Sequence, residues 1–173
     1  MEPKFTISEV FRTSWKYTKS QIWILVGLII GMMILSFTLS IFLIPMQGSI
    51  IGMIISNIVS LIIGGLFSLG YLKNIFQTLD DEEPQLSAYG RQAPKIFTYI
   101  IASIIVALIV TIGFALLIIP GIYLCIRLQF FLAFIVEENA GIIESIQRSW
   151  EITKGQTMDL FLLALTMVLI TIV

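Results

Sequence analysis

Two long tracts of this chain carry no ionisable side chain. Residues 22–72 and 96–126 contain no Asp, Glu, Lys, Arg or His. Each tract exceeds the ~20 apolar residues that a bilayer asks of a crossing helix. Polar clusters and prolines divide them into spans. The first is predicted over Ile22–Ile44 and ended by Pro45, which lacks an N–H and clashes with the turn before it. A second follows over about 48–72. A third, 96–119, closes on a Pro120-Gly121 turn, and a short fourth, 121–136, holds Arg127 and Gln129. A fifth apolar run, 157–173, is interrupted early by Asp159 and sits at the lower limit for crossing. The pattern predicts an all-α, polytopic helical membrane protein of about five transmembrane helices, forming a single transmembrane domain over 1–173.

Two stretches between the apolar runs alternate differently. In residues 5–21, Ile7, Val10, Phe11, Ser14, Trp15 and Thr18 fall on one helical face, and Glu9, Arg12, Lys16 and Lys19 on the other. Thr6 and Glu9 have capping-box spacing, with Phe5 and Val10 placed as a hydrophobic staple. Residues 139–155 form a second such helix, with Asn139 as its expected N-cap. The two are copies: Ile7, Glu9, Ser14, Trp15, Thr18, Lys19 and Gln21 recur as Ile142, Glu144, Ser149, Trp150, Thr153, Lys154 and Gln156 at a constant offset of 135. Both are expected to lie in the membrane interface, anchored by Trp15 and Trp150. Ser14 and Ser149 are placed to approach a neighbour or bond a carbonyl, and the Thr-Lys pair one turn on is expected to face the headgroups. Glu144 and Arg148 are spaced to pair.

The second span carries small residues every fourth position: Gly48, Gly52, Ser56, Ser60, Gly64 and Ser68. Such a stripe lets a helix backbone approach closely where lipid supplies no hydrophobic force. Asn57 beside it is the mid-span amide. Residues 73–95 are the longest polar stretch. Asp80–Glu83 there reads as a solvated turn, because consecutive acids do not make the ligand geometry of a hard cation. Leu86 to Ile96 is expected to form a short interfacial helix.

Composition agrees with the pattern. Hydrophobic residues make up 58%, charged residues 12%, and mean hydropathy is +1.01. Soluble chains carry about twice that charge density. A net charge of −1 gives no basic excess for nucleic acid, and no cofactor is expected. One cysteine, Cys125, and no histidine leave no disulfide or Cys/His metal site. Of ten basic residues, nine fall on one side of the predicted threading, which places the N-terminus in the cytoplasm. The first apolar run is too long, and lacks the small-residue site, for a cleaved signal.

The segment Ile119, Pro120, Gly121, Arg127, Glu137, Glu138, Ser149, Trp150, Thr153 and Gly155 resembles the YciC-like inner-membrane proteins. It also resembles the membrane domain attached to some glycerophosphoryl diester phosphodiesterases. The resemblance is strongest over about forty residues, and the layout extends over the chain. It implies a prokaryotic cytoplasmic-membrane protein, typically of six spans, so five here imply a shortened chain. It implies no chemistry, and nothing matches the phosphodiesterase catalytic domain.

Arg127 is the sharpest candidate for function. An arginine at a helix centre costs about 2.5–3.5 kcal/mol on insertion scales, normally offset by a partner or a wet cavity. It either contacts an anionic headgroup or substrate, or pairs with Asp159, Glu137, Glu138 or helix carbonyls. Asp159 suits the first turn of its helix, where a carboxylate meets the dipole. The acid–base inventory of an enzyme is absent. The expectation is a non-enzymatic assembly, scaffold or accessory subunit contacting lipid, a membrane partner or further copies of itself. The alternative is a small-solute or lipid transporter or channel subunit with Arg127, Gln129 and Asn57 in the site.

Overall fold

The computed structural model describes residues 7–172. The expected cap at Thr6 and the staple at Phe5 lie outside them. Among the described residues the chain is helical nearly throughout and has no strand. Helix α1 spans Ile7–Ser20, and α2 spans Ile22–Leu43. A 3-10 turn over Ile44–Gly48 leads to α3, Ile50–Leu79. A short α4, Ser87–Gln92, is followed by α5, Ile96–Leu116. Then come α6 (Ile118–Leu128), α7 (Phe131–Glu138), α8 (Ile142–Ile152) and α9 (Thr157–Ile172). Four stretches are long and apolar enough to cross a membrane: Ile22–Gly48, Ile50–Leu79, Ser87–Leu116 and Ile118–Glu138. A fifth exists if Ile142–Ile152 and Thr157–Ile170, bent by 93°, count together. This is a polytopic helical membrane protein.

The chain divides into two compact units, one of Trp15–Ile96 and one of Met1–Ser14 with Phe97–Val173. In the first, Pro45 sits inside the 3-10 turn and Ser49 caps α3, its Oγ accepting the Gly52 N–H at 3.0 Å. Any Cβ on Gly52 would collide with the Met46 carbonyl, so glycine lets the turn lie against the start of α3. The second span is longer than the apolar pattern predicts. Its polar residues from Lys73 onward continue the helix to Leu79, and Asp81, in the left-handed region at φ 59°, turns the chain. Asp80–Glu83 is exposed, as a solvated turn should be. The chain then returns along α3. Asn74, fully buried, accepts the Gln85 N–H at 2.7 Å, and Tyr89 of α4 lies over Gly70 and stacks on Phe67.

The four-residue stripe of α3 packs only in part. Gly52 and Ser56 are buried and Ser68 half-buried, but Gly48, Ser60 and Gly64 are exposed. Burial shifts at mid-helix to Gly65, Leu69, Gly70 and Asn74, because the contacts of α3 change from its own turn to α4.

In the other unit the break after α5 falls at Leu117, before the expected Pro120-Gly121 turn. Pro120 is taken into the first turn of α6, where a missing N–H costs nothing. Gly121 serves packing instead: a Cβ there would enter the Phe114 ring, and one on Gly113 would lie 2.6 Å from Leu124.

A latched break in the fourth span

The fourth span is not one helix. It stops at Leu128 and restarts at Phe131, leaving Gln129 and Phe130 between α6 and α7. The turn and helix beyond α7 explain how a membrane-embedded chain tolerates that. Asn139 does not cap α8; it ends α7 in the left-handed conformation at φ 53°. The Asn139 N–H and the Ala140 N–H, the latter at 3.1 Å, both reach back to the Phe134 carbonyl and close the end of the helix. Asparagine tolerates that conformation better than other non-glycine residues, which is why it sits at the exit rather than the entry. Gly141 is the N-cap of α8, its N–H donating to Glu144 at 3.3 Å. Arg148 pairs with Glu144 at 2.7 Å and also with Glu138.

This tight turn folds α8 back onto α7 and the end of α6. The face it presses inward is Ser145, Ser149 and Thr153, each at most 1% exposed. Three small polar residues at four-residue spacing make a close-approach face of the kind membrane helices use. Ser149 Oγ accepts the Phe130 N–H at 3.1 Å and donates to the Arg127 carbonyl at 3.0 Å. Thr153 Oγ1 lies 3.2 Å from the same carbonyl and 2.8 Å from the Ser149 carbonyl. In an unbroken helix the Arg127 carbonyl would take the N–H four residues on. Here two hydroxyls from another helix reach it. In lipid every backbone polar group must be satisfied from within the protein, and α8 does this for the break. Thr153 therefore does not face headgroups.

The Arg127 side chain completes the arrangement. The residue is 3% exposed, and its guanidinium carbon lies 4.1 Å from the centroid of the Trp150 ring and 5.8 Å from that of Tyr123. Tyr123 meets Trp150 edge to face at 5.9 Å. Among the described residues no carboxylate pairs with Arg127, and its buried Nε has no acceptor. The expected acid partners are replaced by an aromatic face. A desolvated cation over Trp is worth about 2 kcal/mol, comparable to the insertion cost of the charge. The arrangement holds a cation in place against two aromatic rings.

The other candidates are dispersed. Gln129 is exposed at the break, while Asn57, in the other unit, donates to its own helix at the Met53 carbonyl, 2.8 Å away. Asp159 lies in the first turn of α9. Ser14 and Trp15 are exposed, unlike Ser149, although Ser14 lines an apolar cleft of about 260 Å³ with Gln129, Phe130, Leu160 and Met167. Sequence reasoning missed Ser145 and the burial of Thr153. The Ser-x-x-x-Ser-x-x-x-Thr spacing was the available signal.

No curated protein and no solved structure matches this chain. The latch and the spans around it lie within the region that a family model matches, residues 86–173, described as a domain of unknown function, DUF7847. That region is half of the chain, and the protein belongs to this family.

Proposed function

We propose that this is a non-enzymatic integral protein of a prokaryotic cytoplasmic membrane, an assembly, scaffold or accessory subunit that docks against another membrane protein. The observation that carries the reading is on α2 and α3. Cβ atoms added at Gly27, Gly31 and Gly64 would meet nothing within 4 Å, so these small-residue positions leave room for the close approach of another helix. Small residues let helices associate closely in lipid, where packing replaces the hydrophobic effect as the driving force. The Arg127 carbonyl and the Phe130 N–H at the break in the fourth span are meanwhile met within the protein. The N-terminus is cytoplasmic on the distribution of basic residues, and α1 and α8 lie at the interface with Trp15 and Trp150 as anchors. The likeness to the YciC-like proteins fits the same setting.

The test is native mass spectrometry of the protein drawn from its own membranes, with Gly27→Leu/Gly31→Leu and Gly64→Leu beside the natural chain. A second protein in fixed ratio, lost in these variants without a change in melting temperature, is expected. A lone chain in all three preparations would overturn the reading. The orphaned Nε of Arg127 favours a second reading, a transporter or channel subunit that admits an anionic solute or lipid. Flux in proteoliposomes that Arg127→Ala abolishes would decide for it, and no flux across a broad solute panel would decide against it.

A further inference from the structure

Between α2 and α3, close to the 3-10 turn, lies a cleft of about 370 Å³ lined by Ser40, Leu43, Gln47, Met53, Ser56, Asn57 and Ser60. Five of these seven residues are polar and none is charged. Ser56 is 6% exposed, and its buried Oγ has no hydrogen-bond partner. A buried hydroxyl left unsatisfied beside hydrocarbon is costly, and here it borders an open volume.

The hydrogen-bonding inventory says what would fill that volume. Asn57 spends one of its two amide N–H groups on the Met53 carbonyl, and Ser40 spends its hydroxyl proton on the Phe37 carbonyl at 2.8 Å. What these two side chains still offer is two acceptor oxygens and one N–H, and the Gln47 amide beside them adds both kinds of group. A complementary occupant therefore brings hydrogen-bond donors and acceptors together. A cation would also suit acceptor oxygens, but residues 22–72 hold no carboxylate to neutralise it, and a bare charge at this depth is expensive. The volume also lies in the range of small-molecule sites rather than that of a single ion.

We propose that this cleft binds an uncharged polyhydroxylated group, a sugar, carried either on a lipid or by a free solute. Hydroxyls supply the donors that the Asn57 carbonyl and Ser40 oxygen lack, and accept from Ser56 in return. The site lies beside the 3-10 turn that joins the two spans, where both a lipid headgroup and a free sugar are candidates to enter. The proposal stands on different residues from the docking faces at Gly27, Gly31 and Gly64 and does not depend on them.

The full-length protein in detergent would be exposed to monoglucosyl diacylglycerol, to glucose, and to phosphatidylglycerol as an anionic control. Retention by native mass spectrometry and the shift in melting temperature are the readouts. The natural chain is expected to retain the glucolipid, and Asn57→Leu and Ser60→Ala to retain it at least tenfold less. Both positions are exposed, so the unliganded variants should melt with the natural chain. Stabilisation by glucolipid alone assigns the site to a headgroup, and equal stabilisation by glucose assigns it to a solute; both support the proposal. It is overturned if neither sugar probe distinguishes the natural chain from Asn57→Leu, or if phosphatidylglycerol is preferred. It is also overturned if Asn57→Leu changes the oligomeric mass instead, which would make the cleft a helix-docking site.

Discussion

Removing the Ser149 hydroxyl tests whether α8 holds the broken span together. Ser149→Ala deletes one oxygen and leaves no significant cavity, so its effect reports on hydrogen bonding. The Phe130 N–H loses its acceptor, and the Arg127 carbonyl loses one of two donors. An unsatisfied buried donor costs about 1–3 kcal/mol. Measured hydrogen bonds between membrane helices average about 0.6 kcal/mol and reach about 1.7. With one hydroxyl serving both groups, Ser149→Ala should cost about 1.5 kcal/mol, near the upper end of that range. Thr153→Val alone should cost about 0.5 kcal/mol, since the Arg127 carbonyl keeps Ser149. The double variant strips that carbonyl of both donors and should exceed the sum by about 1 kcal/mol, as coupled neighbours do. Unfolding by SDS titration in mixed micelles supplies these numbers. Ser14→Ala is the internal control: the repeat makes it the counterpart of Ser149, but it is exposed and should shift stability by less than about 0.5 kcal/mol. If Ser149→Ala behaves like Ser14→Ala and the double variant is additive, the hydroxyls do not secure the break.

Two more outcomes are expected from the packing. Trp150→Leu should cost about 1–2 kcal/mol in the natural chain and much less in an Arg127→Met background, a double-mutant cycle isolating the cation–ring term; equal costs in both backgrounds would mean that the stack contributes nothing. Gly70→Ala, whose Cβ would fall within the Tyr89 ring, should destabilise by about 1–3 kcal/mol, whereas Gly64→Ala, facing open space, should be neutral or stabilising; similar melting temperatures for the two would refute the α3–α4 contact.

The spans were legible because charge is so unevenly placed. A tract such as 22–72 can only be membrane helix, and Pro45 marks the turn it was expected to mark. Boundaries set by conformation rather than composition were harder. Pro120 reads equally as the end of one helix or the first turn of the next, and the close approach of Gly113 to Gly121 decides for the second. Asn139 suits an N-cap by residue type, yet its left-handed φ makes it a C-terminal cap. Lys73 to Leu79 open the longest polar stretch of the sequence, but Asn74, Gln77 and Thr78 there are buried on a continuing helix, against the chain that returns along it. The break at Gln129 leaves no composition signal at all. Its signal lies about twenty residues on, in Ser149 and Thr153, whose purpose is visible only once α8 is folded back. Repeat arithmetic made Ser14 and Ser149 equivalent, but Ser149 bonds the break while Ser14 only lines a cleft beside it.

That separation in sequence has a consequence for how the protein is made. Synthesis runs from the N-terminus, so Arg127 leaves the ribosome 22 residues before Ser149 and 23 before Trp150. The fourth span must therefore meet the membrane with a bare guanidinium and an uncovered kink. Its length and hydropathy suit a crossing from the start, but its cation and its freed carbonyl are covered only when the next helix arrives. The fourth span is thus completed by residues made after it, as part of the hairpin running from α6 through α8.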